Sequence, residues 1–155
     1  MSKQHFYEVN INWIGNLGVG TKDYTAYSRN HTISVDNKVD ILASADTAFK
    51  GDATKYNPEE LLVASISACH MLWYLHLCAD AGIVVTNYTD NPKGIMVETV
   101  DIGGHFTALT LFPVVTITDI LQKEKAIELH NLAHRKCFIA NSCNFPIHHQ
   151  VTIIG

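Results

Sequence analysis

The segment that follows Asn57 constrains the fold more than any other, because it has the composition of a long helix without a polar face. Asn57 can cap a helix, Pro58 suits the first helical position, and Glu60 lies three residues after the cap. The helix predicted over 59–81 is apolar nearly all round, and Gly82 is a plausible stop. A helix of this kind in a soluble protein is buried on most sides. We therefore expect a wrapped sheet or a partner subunit to cover it.

Segments with the composition of strands lie on both sides of this helix. They cover residues 4–13, 22–35, 38–42, 83–88, 94–102, 106–117 and 145–154. A second helix is predicted to begin near Asp119. Ala126, Leu129, Ala133 and then Cys137 follow at helical spacing on one face of it. The order of elements predicts an α+β fold, with residues 1–155 as one domain.

The composition excludes several functional classes. The chain has 155 residues, is 47% hydrophobic and carries a formal net charge of −4, which supports a globular core and argues against nucleic-acid binding. We identify no apolar run that approaches the ~20 residues of a transmembrane helix. Residues 1–6 lack the apolar stretch of a signal peptide. We expect a cytoplasmic protein that binds neither nucleic acid nor membranes.

The four cysteines are the candidates for chemistry. In a reducing compartment we expect them to be packing residues, metal ligands or redox-active thiols. Cys69 and Cys78 are nine residues apart on one helix, so they face opposite directions and cannot pair. We interpret Cys78 as a core residue, whereas the residues alone leave Cys69 open between packing and chemistry.

Cys137 follows a cationic run, His134-Arg135-Lys136, near a helix end. These cations could favour a thiolate, or they could simply complement the negative end of the helix. Cys137 and Cys143 could also bind zinc together with His148 and His149. The two histidines are adjacent, however, so they fall on opposite faces of a strand, and no Cys-x2-Cys knuckle is present. We expect no metal and no cofactor.

Two motifs together resemble the OsmC/Ohr family of thiol peroxidases. They are Asn57-Pro58-Glu59-Glu60-Leu61-Leu62 followed by Ala64-x-x-x-Ala68-Cys69, and Ala133-His134-x-x-Cys137 after the second helix. The order of strands and helices is similar to the family's across nearly the whole chain. The runs 27–31 and 69–72 resemble most an OsmC-like branch. The chain departs from the family's usual pattern at Phe138, where Pro is usual, and at His70, where classical members often have Phe.

The resemblance implies the reduction of organic hydroperoxides, and of hydrogen peroxide in some members, in oxidative or osmotic stress defence. Cys69 resembles the peroxidatic cysteine, which becomes a sulfenic acid, and Cys137 resembles the resolving cysteine, which condenses with it to a disulfide. A dithiol reductant then reopens that bond. The resemblance further implies antiparallel sheets wrapped around a long buried central helix, in an intertwined homodimer with shared active sites.

Glu59 resembles the family's carboxylate that orients an active-site arginine. Helix geometry places it ~15 Å along the axis from Cys69, so a long cationic side chain must bridge toward the thiol. The sequence offers Arg29 and Arg135. We assign the role to Arg29, which lies upstream where the resemblance places the arginine, with Arg135 as the next candidate.

The alternative function is a binding protein of the same fold. An apolar pocket beside Cys69 would then hold a lipid-like or other small ligand, and the thiols would only pack.

Overall fold

The computed structural model describes residues 3–100 and 103–155, and within these ranges the chain forms two α-helices, nine strands and three short 3₁₀ turns. The helices and strands are β1 (Asn10–Trp13), β2 (His31–Ser34), β3 (Ile41–Ala43), α1 (Pro58–Asp80), β4 (Val85–Thr89), β5 (Lys93–Thr99), β6 (Gly103–Leu111), β7 (Val114–Ile117), α2 (Lys123–Lys136), β8 (Ile147–His149) and β9 (Thr152–Ile154). They belong to two compact units, one ending at Leu61 and the other running from Leu62 to Gly155. The organisation of 1–155 as one domain stays a prediction.

The first unit contains one antiparallel sheet in the order β1-β2-β3. The predicted strand over 4–13 is wrong in its first part, since only Asn10–Trp13 is a strand and all four of its residues are exposed. The reason is the pairing of β1 with β2. Asn10 pairs with Ser34, and shortly after Ser34 the chain turns away at Asn37, which has a positive φ of 62°. Among the residues that the structure describes, none pairs with 4–9 as a neighbouring strand, and an alternating sequence does not form a strand without such pairing. The predicted strands over 22–35 and 38–42 likewise shrink to β2 and β3.

α1 begins and ends as the sequence predicts. The Glu60 N–H donates to Asn57 Oδ1 at 2.7 Å, and the Asn57 N–H donates to Glu60 Oε2 at 3.1 Å, which completes a capping box. At the other end Gly82 adopts a φ of 70°, and the Ile83 N–H donates to the Cys78 carbonyl at 2.9 Å. This left-handed closure is the conformation that glycine favours after a helix.

Within the single chain, the burial of α1 is confined to one side of the helix. Its fully buried residues form a stripe at helical spacing, made of Ile66, His70, Tyr74, Leu77 and Cys78. Leu72, on the other side, is 63% exposed. α1 is also long and apolar enough to cross a membrane, which corrects the expectation that no run approaches that length. Length and composition do not distinguish such a span from a core helix, and the buried stripe is a core-helix feature.

The second unit holds two three-stranded sheets, in the orders β4-β7-β9 and β5-β6-β8. They are mixed rather than antiparallel, because β8 pairs with β6 and β9 pairs with β7 in parallel. The predicted strand over 106–117 is divided at Pro113, which has no N–H to donate, while the Phe112 N–H turns to Asp90 Oδ1 at 2.7 Å. The predicted strand over 145–154 is divided into β8 and β9, which join different sheets.

The main core of the second unit lies where α1, α2, β7 and β9 meet. It contains Tyr74, Leu77, Cys78, Ile83, Val115, Ile117, Ala126, Leu129, Ala133 and Ile153. The predicted second helix is confirmed, with Asp119 accepting from the Leu121 N–H at 3.0 Å in the turn that precedes α2. Ala126, Leu129 and Ala133 are buried as predicted, and Cys137 caps the helix end. This packing brings the end of α2 beside the middle of α1.

Candidate active site

Cys69 and Cys137, far apart in the sequence, meet in the second unit. The Cys137 thiol lies close enough to the Cys69 thiol for the two to interact electrostatically. Cys137 is fully buried, whereas Cys69 is partly accessible, and neither forms a disulfide. Burial, together with the neighbouring Cys69 thiol, raises the pKa of Cys137 to about 12. Cys137 is therefore a protonated thiol at neutral pH.

The turn after α2 fixes the position of Cys137. The Ala140 N–H donates to Cys137 Sγ at 3.4 Å, and the Asn141 N–H donates to the Cys137 carbonyl at 3.0 Å. Cys143 lies in the same turn, but its S–H donates to the Ile139 carbonyl at 3.3 Å. The Cys69 thiol affects the pKa of Cys137, and not that of Cys143, so Cys137 is its nearer neighbour.

An apolar groove of about 570 Å³ opens beside Cys69. Its lining consists of Ser65, Ala68, Cys69, Leu72, Trp73, His76, Phe138 and Ile139. Phe138 packs edge-on against Trp73 with ring centroids 5.5 Å apart, and Lys136 Nζ lies 5.2 Å from the Trp73 ring centroid. The residue that departs from the family's usual proline therefore forms part of the wall of this groove. The groove suits the apolar part of a small organic molecule.

His70 does not lie in this groove, although it directly follows Cys69. Its side chain is 1% exposed, and its Nε2 lies 2.9 Å from Nδ1 of His130, which is completely buried. Sequence analysis missed His130. A signal was available, because His130 occupies an apolar-face position of α2 between Leu129 and Ala133. A histidine at such a position needs a polar partner inside the protein.

Both imidazoles of this pair are neutral at neutral pH. Burial, with a smaller effect of the neighbouring histidines, lowers the pKa of His70 to about 4 and that of His130 to about 3. The Tyr74 ring stacks on the His130 ring with centroids 3.7 Å apart. One neutral ring donates its N–H and the other accepts with its lone pair.

Arg29 and Glu59 lie in the first unit. The Arg29 guanidinium donates to the carbonyls of Tyr24 and Tyr27, each at 2.6 Å, and packs over both rings at 4.2 and 4.3 Å. Glu59 keeps one buried carboxylate oxygen without a hydrogen-bond partner. Within 3–100 and 103–155 no ion pair joins the two residues, so their partnership stays a prediction.

The residues considered as zinc ligands are not gathered into a site. His148 is exposed, and His149 is half-buried with its Nε2 3.2 Å from Asn131 Oδ1. Across the part of the chain that the structure describes, no group of three or more His, Cys, Asp or Glu side chains is placed to hold a metal ion.

Comparison with known proteins gives a consistent result. Residues 51–152 match the family described as OsmC-like protein. The organic hydroperoxide resistance protein OhrB of Bacillus subtilis is 32% identical over 107 residues, which are 69% of this chain and 76% of that protein.

Solved structures extend the similarity to nearly the whole chain. An OsmC-like protein of unknown function from Vibrio cholerae is 31% identical, with a TM-score of 0.84 over 96% of this chain and 99% of that one. An organic hydroperoxide resistance protein from Elizabethkingia anophelis, at 20% identity and a TM-score of 0.68, covers 99% of both chains and shows the shared fold.

The buried histidine pair predicts a loss of stability in mild acid. Below the ordinary histidine pKa the unfolded chain gains protons on His70 and His130, whereas the folded protein keeps both rings neutral down to about pH 4. The unfolded state then binds more protons, so the free energy of unfolding falls as the pH falls. We expect a loss of about 1–2 kcal/mol per histidine between about pH 7 and about pH 5.

Urea unfolding at the two pH values measures this loss. His130→Asn should reduce the pH dependence, and His105→Gln, at an exposed position on β6, is the matched control. Equal pH dependence in the wild type and in His130→Asn would contradict the prediction.

Proposed function

We propose that this chain, which belongs to the OsmC-like protein family, is a cysteine-based peroxidase that reduces organic hydroperoxides. The observation that carries the proposal is the proximity of the Cys69 and Cys137 thiols at the edge of an apolar groove. The Bacillus subtilis relative, named for organic hydroperoxide resistance, supports the substrate class. In this proposal the protein acts in oxidative or osmotic stress defence.

The proposed cycle needs only the two thiols. The Cys69 thiolate attacks the O–O bond, the alkoxide leaves and takes up a proton as an alcohol, and Cys69 becomes a sulfenic acid. Cys137 then gives its proton to the sulfenic hydroxyl as its sulfur attacks the Cys69 sulfur, and the hydroxyl leaves as water. The peroxide gains two electrons, which the two thiols lose as they form a disulfide. A dithiol reductant returns both thiols by exchange.

The contrast between the two cysteines supports their separate roles. Cys69 borders an open groove, where a peroxide can reach its sulfur, whereas Cys137 is fully buried and stays protonated. A protonated Cys137 can donate to the Cys69 sulfur but cannot itself attack a peroxide, because the thiolate is the nucleophile. The difference in access supports the assignment of Cys69 as peroxidatic and of Cys137 as resolving.

We assign the activating cation to Arg29, oriented by Glu59. Two features of the first unit support this assignment. The recorded hydrogen bonds use two of the five N–H donors of the Arg29 guanidinium. The unpartnered buried oxygen of Glu59 is the kind of group that receives a cation.

The proposal includes a cytoplasmic homodimer with shared active sites. Leu72 and Phe138, which line the groove, are 63% and 68% exposed. Large apolar side chains gathered on one surface are typical of a face that another protein covers. A partner subunit would cover the exposed side of α1 and narrow the groove.

A second candidate function is the binding of a small apolar ligand without chemistry. The apolar lining of the groove favours this candidate as well. It differs from the peroxidase in one measurable respect, because a binding protein consumes no peroxide.

Replacement of Cys69 separates the two functions. Cys69→Ser should abolish the consumption of cumene hydroperoxide in the presence of a dithiol reductant, because a serine hydroxyl is not ionised at neutral pH. Cys78→Ser is the matched control, since Cys78 is buried in the core away from the groove. Wild-type turnover by Cys69→Ser would overturn the peroxidase assignment.

Replacement of Arg29 tests the activating cation. Arg29→Ala should slow the reaction of Cys69 with peroxide by a factor of about 10²–10³, which corresponds to about 2–4 kcal/mol of lost electrostatic stabilisation. Arg135→Ala is the matched control. A rate that falls in Arg135→Ala and not in Arg29→Ala would transfer the role to Arg135.

Peptide mapping of the oxidised protein identifies the resolving cysteine. After one equivalent of peroxide we expect a Cys69–Cys137 disulfide, with Cys78 still reduced. Cys137→Ser should then accumulate the sulfenic acid, while Cys143→Ser should form the disulfide normally. A Cys69–Cys143 disulfide in the wild type would assign the role to Cys143 instead.

A further inference from the structure

We propose that the buried hydrogen bond between His70 and His130 positions the Cys69 and Cys137 thiols for disulfide formation. This inference rests on the proposed peroxidase function and deepens it, because it assigns two positioning residues to the second chemical step. Neither histidine lines the groove beside Cys69.

The positions of the two histidines link them to the two cysteines. His70 directly follows Cys69 on α1, and His130 lies about two helical turns before Cys137 on α2. Within the described ranges, their contact is the one hydrogen bond between side chains of the two helices. A shift of α2 along or around α1 would therefore break this hydrogen bond and, at the same time, move Cys137 away from Cys69.

The surroundings of the pair allow few other arrangements. Both rings are excluded from water, and Tyr74 stacks on His130 at 3.7 Å. The His149 ring on β8 packs beside both, with centroids 5.7 Å from His70 and 6.2 Å from His130. The other ring nitrogens, His70 Nδ1 and His130 Nε2, are buried without a hydrogen-bond partner, so an imidazole that lost this bond would keep no hydrogen bond at all. The helices consequently keep the register in which His70 Nε2 faces His130 Nδ1.

The two chemical steps differ in their need for this register. Attack on a peroxide requires an accessible Cys69 sulfur in the groove. Formation of the disulfide also requires the Cα atoms of Cys69 and Cys137 to approach within about 7 Å, with a restricted torsion about the S–S bond. A displacement of about 1 Å can slow a reaction between positioned groups by as much as 10²-fold. Loss of the histidine pair should therefore slow the second step selectively.

Single-turnover experiments on the full chain separate the two steps. Peroxide consumption with trapping of the Cys69 sulfenic acid by dimedone measures the first step, and mass-spectrometric detection of the Cys69–Cys137 disulfide measures the second. In His130→Phe we expect the first rate to change by less than about threefold and the second to fall by about tenfold or more.

Two conservative variants retain a polar side chain at position 130. An asparagine amide reproduces the position of the histidine Nδ1, whereas a glutamine amide reproduces that of Nε2. Because His130 bonds through Nδ1, His130→Asn should keep fast disulfide formation, and His130→Gln should be slow. This comparison tests the proposal even where the phenylalanine variant does not fold.

A double variant distinguishes positioning from stability. His70→Phe with His130→Phe removes both polar groups, so it should be more stable to urea than His130→Phe alone while disulfide formation stays slow. Disulfide formation at the wild-type rate in His130→Gln would overturn the proposal. An equal slowing of both steps would also overturn it. A wild-type protein that forms no sulfenic acid would overturn the proposed function itself, and with it this inference.

Discussion

The packing of α1 against α2 is the contact on which the rest of the site depends. The buried stripe of α1 carries Tyr74 and His70, and the apolar face of α2 carries Ala126, Leu129 and Ala133. Apolar burial supplies most of the attraction, but it is not directional. The hydrogen bond between His70 and His130 adds direction, because only one placement of the two helices satisfies it. The end of α2 is thereby held beside the middle of α1.

This contact also determines the chemistry available to each cysteine. Cys137 lies at the end of the buried face of α2. Its thiol is therefore excluded from water, and its raised pKa keeps it protonated at neutral pH. Cys69 lies beside the buried stripe of α1 and borders the groove, so it can meet a small molecule. One helix pair thus produces an accessible thiol next to a buried thiol. That arrangement suits a reaction in which the first sulfur is oxidised and the second displaces its oxygen.

The sequence predicts the elements that depend on local signals. Asn57 with Glu60 and Gly82 with its positive φ define both ends of α1, and the spacing of Ala126, Leu129 and Ala133 defines α2. The ends of strands are predicted less well, because a strand extends only as far as a neighbouring strand pairs with it. Residues 4–9 have the alternation of a strand but no paired neighbour in the β1–β2 register. The proximity of Cys69 to Cys137 is predicted by the family resemblance and not by the spacing of the two residues in the sequence. His130 was missed because its role depends on a partner on the other helix.

The central claim is that Cys69 and Cys137 act together as a two-electron reductant of peroxides. Thiol counting tests it most directly. The reduced protein, freed of reductant, is mixed with excess cumene hydroperoxide for a short time, and the remaining peroxide and the thiols of the denatured chain are measured. The account predicts that each chain consumes one peroxide and that its four thiols fall to two. Four surviving thiols with no peroxide consumed would contradict it.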